Sequence, residues 1–180
     1  MSVTLINTLE YIMKIITKFT IATEQGVAEL LELTEKSTAE KLSGLITDAA
    51  LTDFITVNYN KQTLIAELNS MSNQFLVVYV DGVPAGYARI TSKGKQPLKL
   101  ENKRAIRIAD FGILQHYNDE AVRHSLFEKC MAVAKFYESI WISEYSENPL
   151  LPFFEDNGFI RQEVAPDWEG LSLSSVCLIK

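Results

Sequence analysis

Hydrophobic and polar positions follow two different periods along residues 106–137, and this stretch organises the rest of the chain. Residues 106–114 are rich in β-branched and apolar side chains, which predicts a buried strand. Gly112 interrupts that strand, and a glycine there indicates a bulge or a close backbone approach. From Asn118 onward the period changes to that of one helical face, with apolar residues at Val122, Leu126, Cys130, Val133 and Tyr137. The pattern predicts a strand, a tight turn and a long helix.

The first 17 residues also carry a helical period, with Leu5, Leu9, Ile12 and Ile16 spaced by 4, 3 and 4 positions. This spacing predicts an amphipathic N-terminal helix over residues 1–17, preceding a domain over residues 18–180. A basic leader and a small-residue cleavage site are missing from this segment, so it does not resemble a signal peptide. The sequence also lacks the roughly 20 consecutive apolar residues of a membrane span. We therefore expect a cytoplasmic protein without membrane partners.

A β-hairpin is the clearest local prediction. Residues 75–80 form a short apolar run, Asp81-Gly82 is a strong turn signal, and residues 84–91 read as the return strand. The same criteria predict further strands over residues 19–22, 139–145, 159–163 and 174–179.

Helix starts are indicated by Thr23 and Asn60, which can cap helices that follow them. Residues 48–59 read as irregular. A short helix is expected over residues 149–156, ended by Asn157-Gly158. The resulting order predicts an α+β protein with a mixed, mostly antiparallel twisted sheet flanked by helices.

Composition narrows the function classes. The chain has 180 residues, 47% of them hydrophobic, and a formal net charge of −6. This balance fits a globular domain and argues against general nucleic-acid binding, while cationic substrates such as amines remain possible. Cys130 and Cys177 are expected to be reduced and buried. There is no CxxC motif or closely paired histidine, so we expect no metal site.

Three segments together resemble the GCN5-related N-acetyltransferase superfamily. They are QFLVVYVDGVPAGYARI at 74–90, the strand, turn and helix at 106–137, and IWISEYSENPLLPFFEDNGFI at 140–160. The third is the most specific, because Asn148, Phe153 and Gly158-Phe159 fall at the spacing of the family. With NSMSNQF at 69–75, the chain is similar to the branch that contains bacterial polyamine acetyltransferases.

The resemblance implies transfer of an acetyl group from acetyl-CoA to a small amine, such as a polyamine, without a metal. It implies that the pantetheine arm of the cofactor lies between the fourth and fifth strands, and that backbone N–H groups of the following turn bind the pyrophosphate. The cofactor-binding residues implied in this way are Ile113, Leu114, Asn118, Ala121, Val122, Arg123, His124, Asn148 and Phe154. A homodimer, formed through the last strand or the N-terminal helix, is a hypothesis.

The phosphate loop departs from the family pattern Q/R-x-x-G-x-G/A. The aligned residues 118–123 read NDEAVR, so side chains occupy both glycine positions. Asp119 and Glu120 also bring two carboxylates to the anion site, where they favour the helix itself through its dipole. Arg123 and His124 could compensate by binding phosphate through their side chains. The alternative, that residues 118–124 are an ordinary capped helix start, stays open.

The catalytic groups also depart from the family. Its fourth-strand glutamate corresponds to Ala109, and the tyrosine that protonates the leaving thiolate corresponds to Phe154. Glu144 and Tyr145 remain as candidate proton relays, but adjacent strand residues face opposite ways, so only one can reach a shared site. Two functions stay open: an active N-acetyltransferase, or a catalytically impaired member that serves as a binding or regulatory module.

Overall fold

The computed structural model describes residues 13–165 and 168–180, and the side chains of residues 163–165 lie outside that description. The described strands are β1 (Ile15–Thr20), β2 (Asn73–Val80), β3 (Val83–Thr91), β4 (Ala105–Ile113), β5 (Ser139–Tyr145), β6 (Ile160–Ala165) and β7 (Ser175–Ile179). The described helices are α1 (Glu24–Leu42), α2 (Asp48–Asn58), α3 (Lys61–Leu68), α4 (Glu120–Ala134) and α5 (Leu151–Asp156).

The strands form one sheet in the order β1-β2-β3-β4-β5-β7-β6. β4 and β5 are parallel, and the other neighbouring pairs are antiparallel. The helix α4 provides the crossover that a parallel pair requires. The predicted α+β class, with a mixed and mostly antiparallel sheet flanked by helices, is confirmed.

The predicted hairpin is present as β2 and β3. Asp81 and Gly82 have φ angles of 51° and 85°, so both central residues of the turn are left-handed. That geometry belongs to the two-residue turns whose twist matches paired strands, and it explains why Asp-Gly marks the hairpin in the sequence.

The predicted caps are confirmed, whereas the prediction for residues 48–59 is wrong. The Thr23 hydroxyl accepts from the Gly26 N–H at 3.0 Å, and the Asn60 side chain accepts from the Thr63 N–H at 2.9 Å. Residues 48–58 form α2, capped by Thr47. None of the α2 residues is fully buried, so the helix lacks the strong apolar stripe on which a sequence prediction depends.

The strand β1 begins at Ile15, earlier than the predicted residues 19–22. Ile16, which the helical spacing assigned to the N-terminal extension, is paired in the sheet with Tyr79. In this segment, strand pairing with β2 therefore outweighs the weak helical spacing of apolar residues. Residues 1–12 of the helix predicted over residues 1–17 lie outside the described residues, and residues 15–17 belong to β1 instead.

Helices cover both faces of the sheet. One apolar cluster joins the sheet to α4 and α5, and it includes Val122, Leu126 and Phe154. A second joins the sheet to α1 and α3, and it includes Leu30 and Leu64. Cys130 and Cys177 are free thiols, the first buried and the second half-buried. No helix in the described ranges is long and apolar enough to cross a bilayer.

Candidate active site

A cleft of about 980 Å³ opens where β4 and β5 separate. Over the described residues, the two strands pair from Ala105–Ser139 to Ile108–Ile142. Beyond that point β4 continues against β3, and β5 continues against β7. The cleft is lined from β4 by Phe111, Gly112 and Ile113, and from the end of β5 and the loop after it by Tyr145, Glu147 and Asn148.

Gly112 is where α1 crosses closest to the sheet. A Cβ atom added at Gly112 would lie 2.2 Å from the Ser37 hydroxyl oxygen. The close approach expected at this glycine is therefore present, with α1 as the neighbour. It brings Ser37, Glu40 and Lys41 of α1 to the cleft.

Asn148 lies in the loop after β5, lines the cleft and holds an enclosed polar group without a partner. Its side chain is 4% exposed, and its carbonyl oxygen accepts from the Leu150 N–H at 2.8 Å. Its amide nitrogen has no hydrogen-bond partner among the described residues. A buried donor left unpaired is costly, so the site favours a ligand that carries a hydrogen-bond acceptor.

The N-terminus of α4 is capped by the chain itself. Asp119 is the N-cap residue, and its carboxylate accepts from the Ala121 N–H at 2.8 Å. Arg123 donates to the Asn118 side-chain oxygen at 2.7 Å and lies over the Phe153 ring. Residues 118–124 therefore form a capped helix start, the alternative that the sequence left open. The Ala121 N–H, which an anion could otherwise use, is already bonded to Asp119.

Acidic side chains outnumber basic ones around the cleft. The carboxylates in its lining are Glu40, Glu120, Glu147 and Asp156, and the cations are Lys41 and Arg123. Both cations are engaged, since Lys41 contacts Glu144 and Arg123 contacts Asn118. The cleft therefore disfavours a ligand with several negative charges.

Of the two candidate proton relays, Tyr145 reaches the cleft and Glu144 lies outside its described lining. The Tyr145 hydroxyl lies 3.5 Å from the Lys41 carbonyl oxygen. Burial, together with the charges of Glu144 and Glu147, raises the pKa of Tyr145 to about 12. The hydroxyl is therefore protonated at neutral pH, and it is a weaker acid than an exposed tyrosine.

Glu144 is bonded to Lys41, a residue of the cleft lining, but is not itself part of the described lining. Its side chain is 2% exposed, and both carboxylate oxygens lie 2.8 Å from Lys41 Nζ. The Lys41 ammonium also lies over the Trp168 ring, 4.7 Å from its centroid. Glu144 is therefore the buried counter-ion of Lys41, and the structure does not bring it to the candidate site.

The predicted cofactor-binding set divides between cleft and core. Ile113, Asn118, Arg123, His124 and Asn148 line the cleft.

The other four members, Leu114, Ala121, Val122 and Phe154, lie outside the described lining of the cleft, and the roles implied for their backbone groups stay predictions. Phe154 is fully buried against Phe111 and Phe159. Val122 is fully buried on the side of α4 that packs on the core. Leu114 packs on the α1 face, and Ala121 offers only a backbone N–H that Asp119 already occupies. On α5, Phe153 lines the cleft instead of Phe154, because alternate sides of this short helix face the cleft and the core.

Asp110 is separated from the cleft by an irregularity in β4. The pairing register shifts between Arg89 and Ile90, which leaves Ala109 as an extra residue opposite them. Asp110 receives hydrogen bonds from Arg89 Nε at 2.7 Å and from the Tyr59 hydroxyl at 3.3 Å. This ion pair accounts for Asp110 without a catalytic role.

Two further polar residues, Ser125 and His116, have structural roles. Ser125 lies 2.8 Å from the Thr17 hydroxyl oxygen, which ties α4 to β1. His116 lies in the short turn Gln115–Tyr117 and packs edge-on against Tyr117. Among the described residues, no group of three or more His, Cys, Asp or Glu could hold a metal ion.

The comparisons with known proteins rest on structure, because no family model and no curated protein matches the sequence. PaiA N-acetyltransferase from Thermoplasma acidophilum, solved in complex with coenzyme A, is 14% identical with a TM-score of 0.68, and the match covers 89% of this chain and 97% of that one. A GNAT-family acetyltransferase from Streptococcus pneumoniae is 15% identical with a TM-score of 0.63, covering 93% and 99%.

The ribosomal-protein-S18-alanine N-acetyltransferase from Escherichia coli is 8% identical with a TM-score of 0.62, and the match covers 91% of this chain and 92% of that one. These matches span nearly the whole length of each neighbour, and identities this low carry information about the fold alone. The described chain has the fold of the GCN5-related N-acetyltransferases.

Proposed function

We propose that this chain is an N-acetyltransferase that transfers an acetyl group from acetyl-CoA to a small amine, with polyamine-like amines as the first class to test. The observation that carries the proposal is the cleft between β4 and β5, with the unpartnered Asn148 amide in its wall. A neighbour of the same fold was solved with coenzyme A, which supports the choice of donor.

The cleft suits the pantetheine arm of the donor better than its diphosphate. A pantetheine arm is uncharged and carries amide groups, and the edge of β4 beyond Ile108 is free of pairing with β5 over the described residues. Asn148 adds a donor for a carbonyl oxygen. The start of α4 offers the diphosphate no comparable binding site, because Asp119 caps the helix and Glu120 follows it.

In the proposed reaction the donor supplies an activated thioester, and the acceptor first loses its ammonium proton to solvent. The neutral amine nitrogen then forms a bond to the acetyl carbon as the carbon–sulfur bond breaks, and it releases its second proton to solvent. The departing sulfur needs a proton, and Tyr145 is the proposed source. Its hydroxyl carries a proton at neutral pH and lines the cleft. The carboxylates of the cleft lining attract a cationic acceptor amine.

A second candidate, a binding or regulatory module without catalysis, is favoured by one observation. The Asp119 carboxylate occupies the Ala121 N–H, so the strongest donor-binding feature of the fold is altered here. Such a protein would bind a ligand in the cleft and release no thiol.

Calorimetric titration with coenzyme A and acetyl-CoA tests the binding step. Asn148→Asp keeps the oxygen that accepts from the Leu150 N–H but replaces the unpartnered amide with an acceptor. We expect it to weaken binding at least tenfold, and Asn148→Ser provides a second, uncharged variant at the same position. Asn69→Asp is the matched control, since Asn69 is exposed at the end of α3.

Thiol release with a panel of amines tests the chemistry. The panel contains polyamines, simple primary amines and a peptide with an N-terminal alanine. Tyr145→Phe should lower kcat by about 100-fold with little change in KM, because removal of a general acid typically costs that much. Binding without turnover for every amine would favour the binding or regulatory module. If neither coenzyme A nor acetyl-CoA binds, both proposed functions are refuted.

A further inference from the structure

We infer that the nucleotide diphosphate contributes nothing to donor binding in this chain, so that the cleft takes acyl thioesters of pantetheine as readily as those of coenzyme A. This inference rests on the proposed function and specifies the ligand of the same site. It follows from three observations along the cleft.

The first observation concerns the N–H groups at the start of α4. A helix leaves its first N–H groups without helical partners, and a bound phosphate normally uses them. Here one of these groups, the Ala121 N–H, donates to the Asp119 carboxylate at 2.8 Å. An incoming diphosphate would have to displace the cap.

The second observation concerns charge. Asp119 and Glu120 stand at the helix start with Arg123 as the nearby guanidinium, and that group already bonds the Asn118 oxygen. Further along the lining stand Glu147 and Asp156. Like charges a few ångströms apart repel even through solvent, so the diphosphate meets repulsion where the fold would ordinarily provide attraction.

The third observation locates the attractive part of the cleft. The Asn148 amide nitrogen is buried and unpartnered in the loop after β5, on the side of the gap that β5 provides. A carbonyl oxygen on a neutral, extended arm satisfies it without bringing charge. The favourable contacts are therefore concentrated on the pantetheine end of the donor.

The experiment compares the dissociation constants of coenzyme A and pantetheine, measured by calorimetry at 50 and 300 mM salt. We expect coenzyme A to bind no more than about threefold tighter than pantetheine, and its relative affinity to fall further at low salt, where repulsion is less screened. Coenzyme A binding more than about 30-fold tighter would overturn this inference and leave the proposed function standing. Failure of both thiols to bind would overturn both.

A double variant tests the cause. Asp119→Asn combined with Glu120→Gln removes two charges, and asparagine preserves the cap. It should tighten coenzyme A binding about fivefold for each carboxylate removed and leave pantetheine binding unchanged. The matched control, Asp53→Asn with Glu128→Gln, changes the net charge equally at exposed positions outside the cleft lining. An unchanged ratio of the two affinities in the first double variant would overturn the inference.

Discussion

Replacing Lys41 with methionine should leave the Glu144 carboxylate buried without a counter-charge. Glu144 is 2% exposed, and both of its oxygens lie 2.8 Å from Lys41 Nζ. Methionine keeps an unbranched chain of similar length to pack against Trp168. The substitution therefore isolates the loss of charge from the loss of volume.

The magnitude follows from the geometry of the pair. Two unit charges at about 4 Å interact by roughly 4 kcal/mol at the effective dielectric of partly buried protein. Removing one partner of a buried pair typically costs about 3–5 kcal/mol, because the remaining charge stays desolvated. For a chain of this length, that loss corresponds to a fall of about 10 °C in Tm.

Two comparisons make the prediction specific. Lys36→Met lies on the same helix and breaks a pair with Glu32, but those side chains are 58% and 66% exposed, so its effect should be far smaller. Lys41→Met combined with Glu144→Met removes both charges. It should recover most of the stability, since an apolar pair often replaces a buried ion pair at little cost.

Urea unfolding followed by tryptophan fluorescence measures these losses, and Trp168 reports directly because the Lys41 ammonium lies 4.7 Å from its ring centroid. If Lys41→Met costs no more than Lys36→Met, the buried pair does not stabilise the fold. If the double variant is as unstable as Lys41→Met, the loss comes from packing and not from charge.

Two further predictions concern the cleft wall and the core beneath it. Gly112→Ala should destabilise the fold, because the new Cβ would lie 2.2 Å from the Ser37 hydroxyl oxygen, and adding Ser37→Ala should recover much of the loss in thermal melting; an unaltered Tm for Gly112→Ala alone would contradict the close approach. Phe154→Tyr reads from the sequence as the return of a proton donor, but Phe154 is fully buried among Phe111, Phe127 and Phe159. We expect a cost of about 1–3 kcal/mol and no gain in thiol release, and a variant with unchanged stability and faster turnover would refute that placement.

Local signals accounted for much of the fold. Asp81-Gly82 predicts the hairpin because its turn requires left-handed residues, and Thr23 predicts a helix start because its hydroxyl satisfies a free N–H. The helix α2 escaped prediction for the opposite reason. It rests on the Thr47 cap and on contacts of Leu51 and Phe54 with Trp168, which is more than 100 residues away in sequence.

The residues of the candidate site were harder to predict from the sequence than the fold. Asn148 and Ile113 could be identified because the family resemblance covers their segments. Glu40 and Lys41 could not, since their position depends on α1 crossing the sheet at Gly112, a contact that no local pattern encodes. The extra residue at Ala109 likewise alters which β4 side chains share a face, and strict alternation does not reveal it.

The short β4–β5 pairing makes the sheet two plates joined at a seam. Strands β1 to β4 form one plate and β5 to β7 the other. Among the described residues their strand pairing runs over the four residue pairs from Ala105–Ser139 to Ile108–Ile142, next to one backbone hydrogen bond from the Glu138 N–H to the Arg104 carbonyl. A molecule lodged between the plates acts as a brace, because its contacts with both sides add to the cohesion of the native state and not to that of the unfolded chain. Binding of a ligand in the cleft therefore stabilises the sheet as a whole against unfolding.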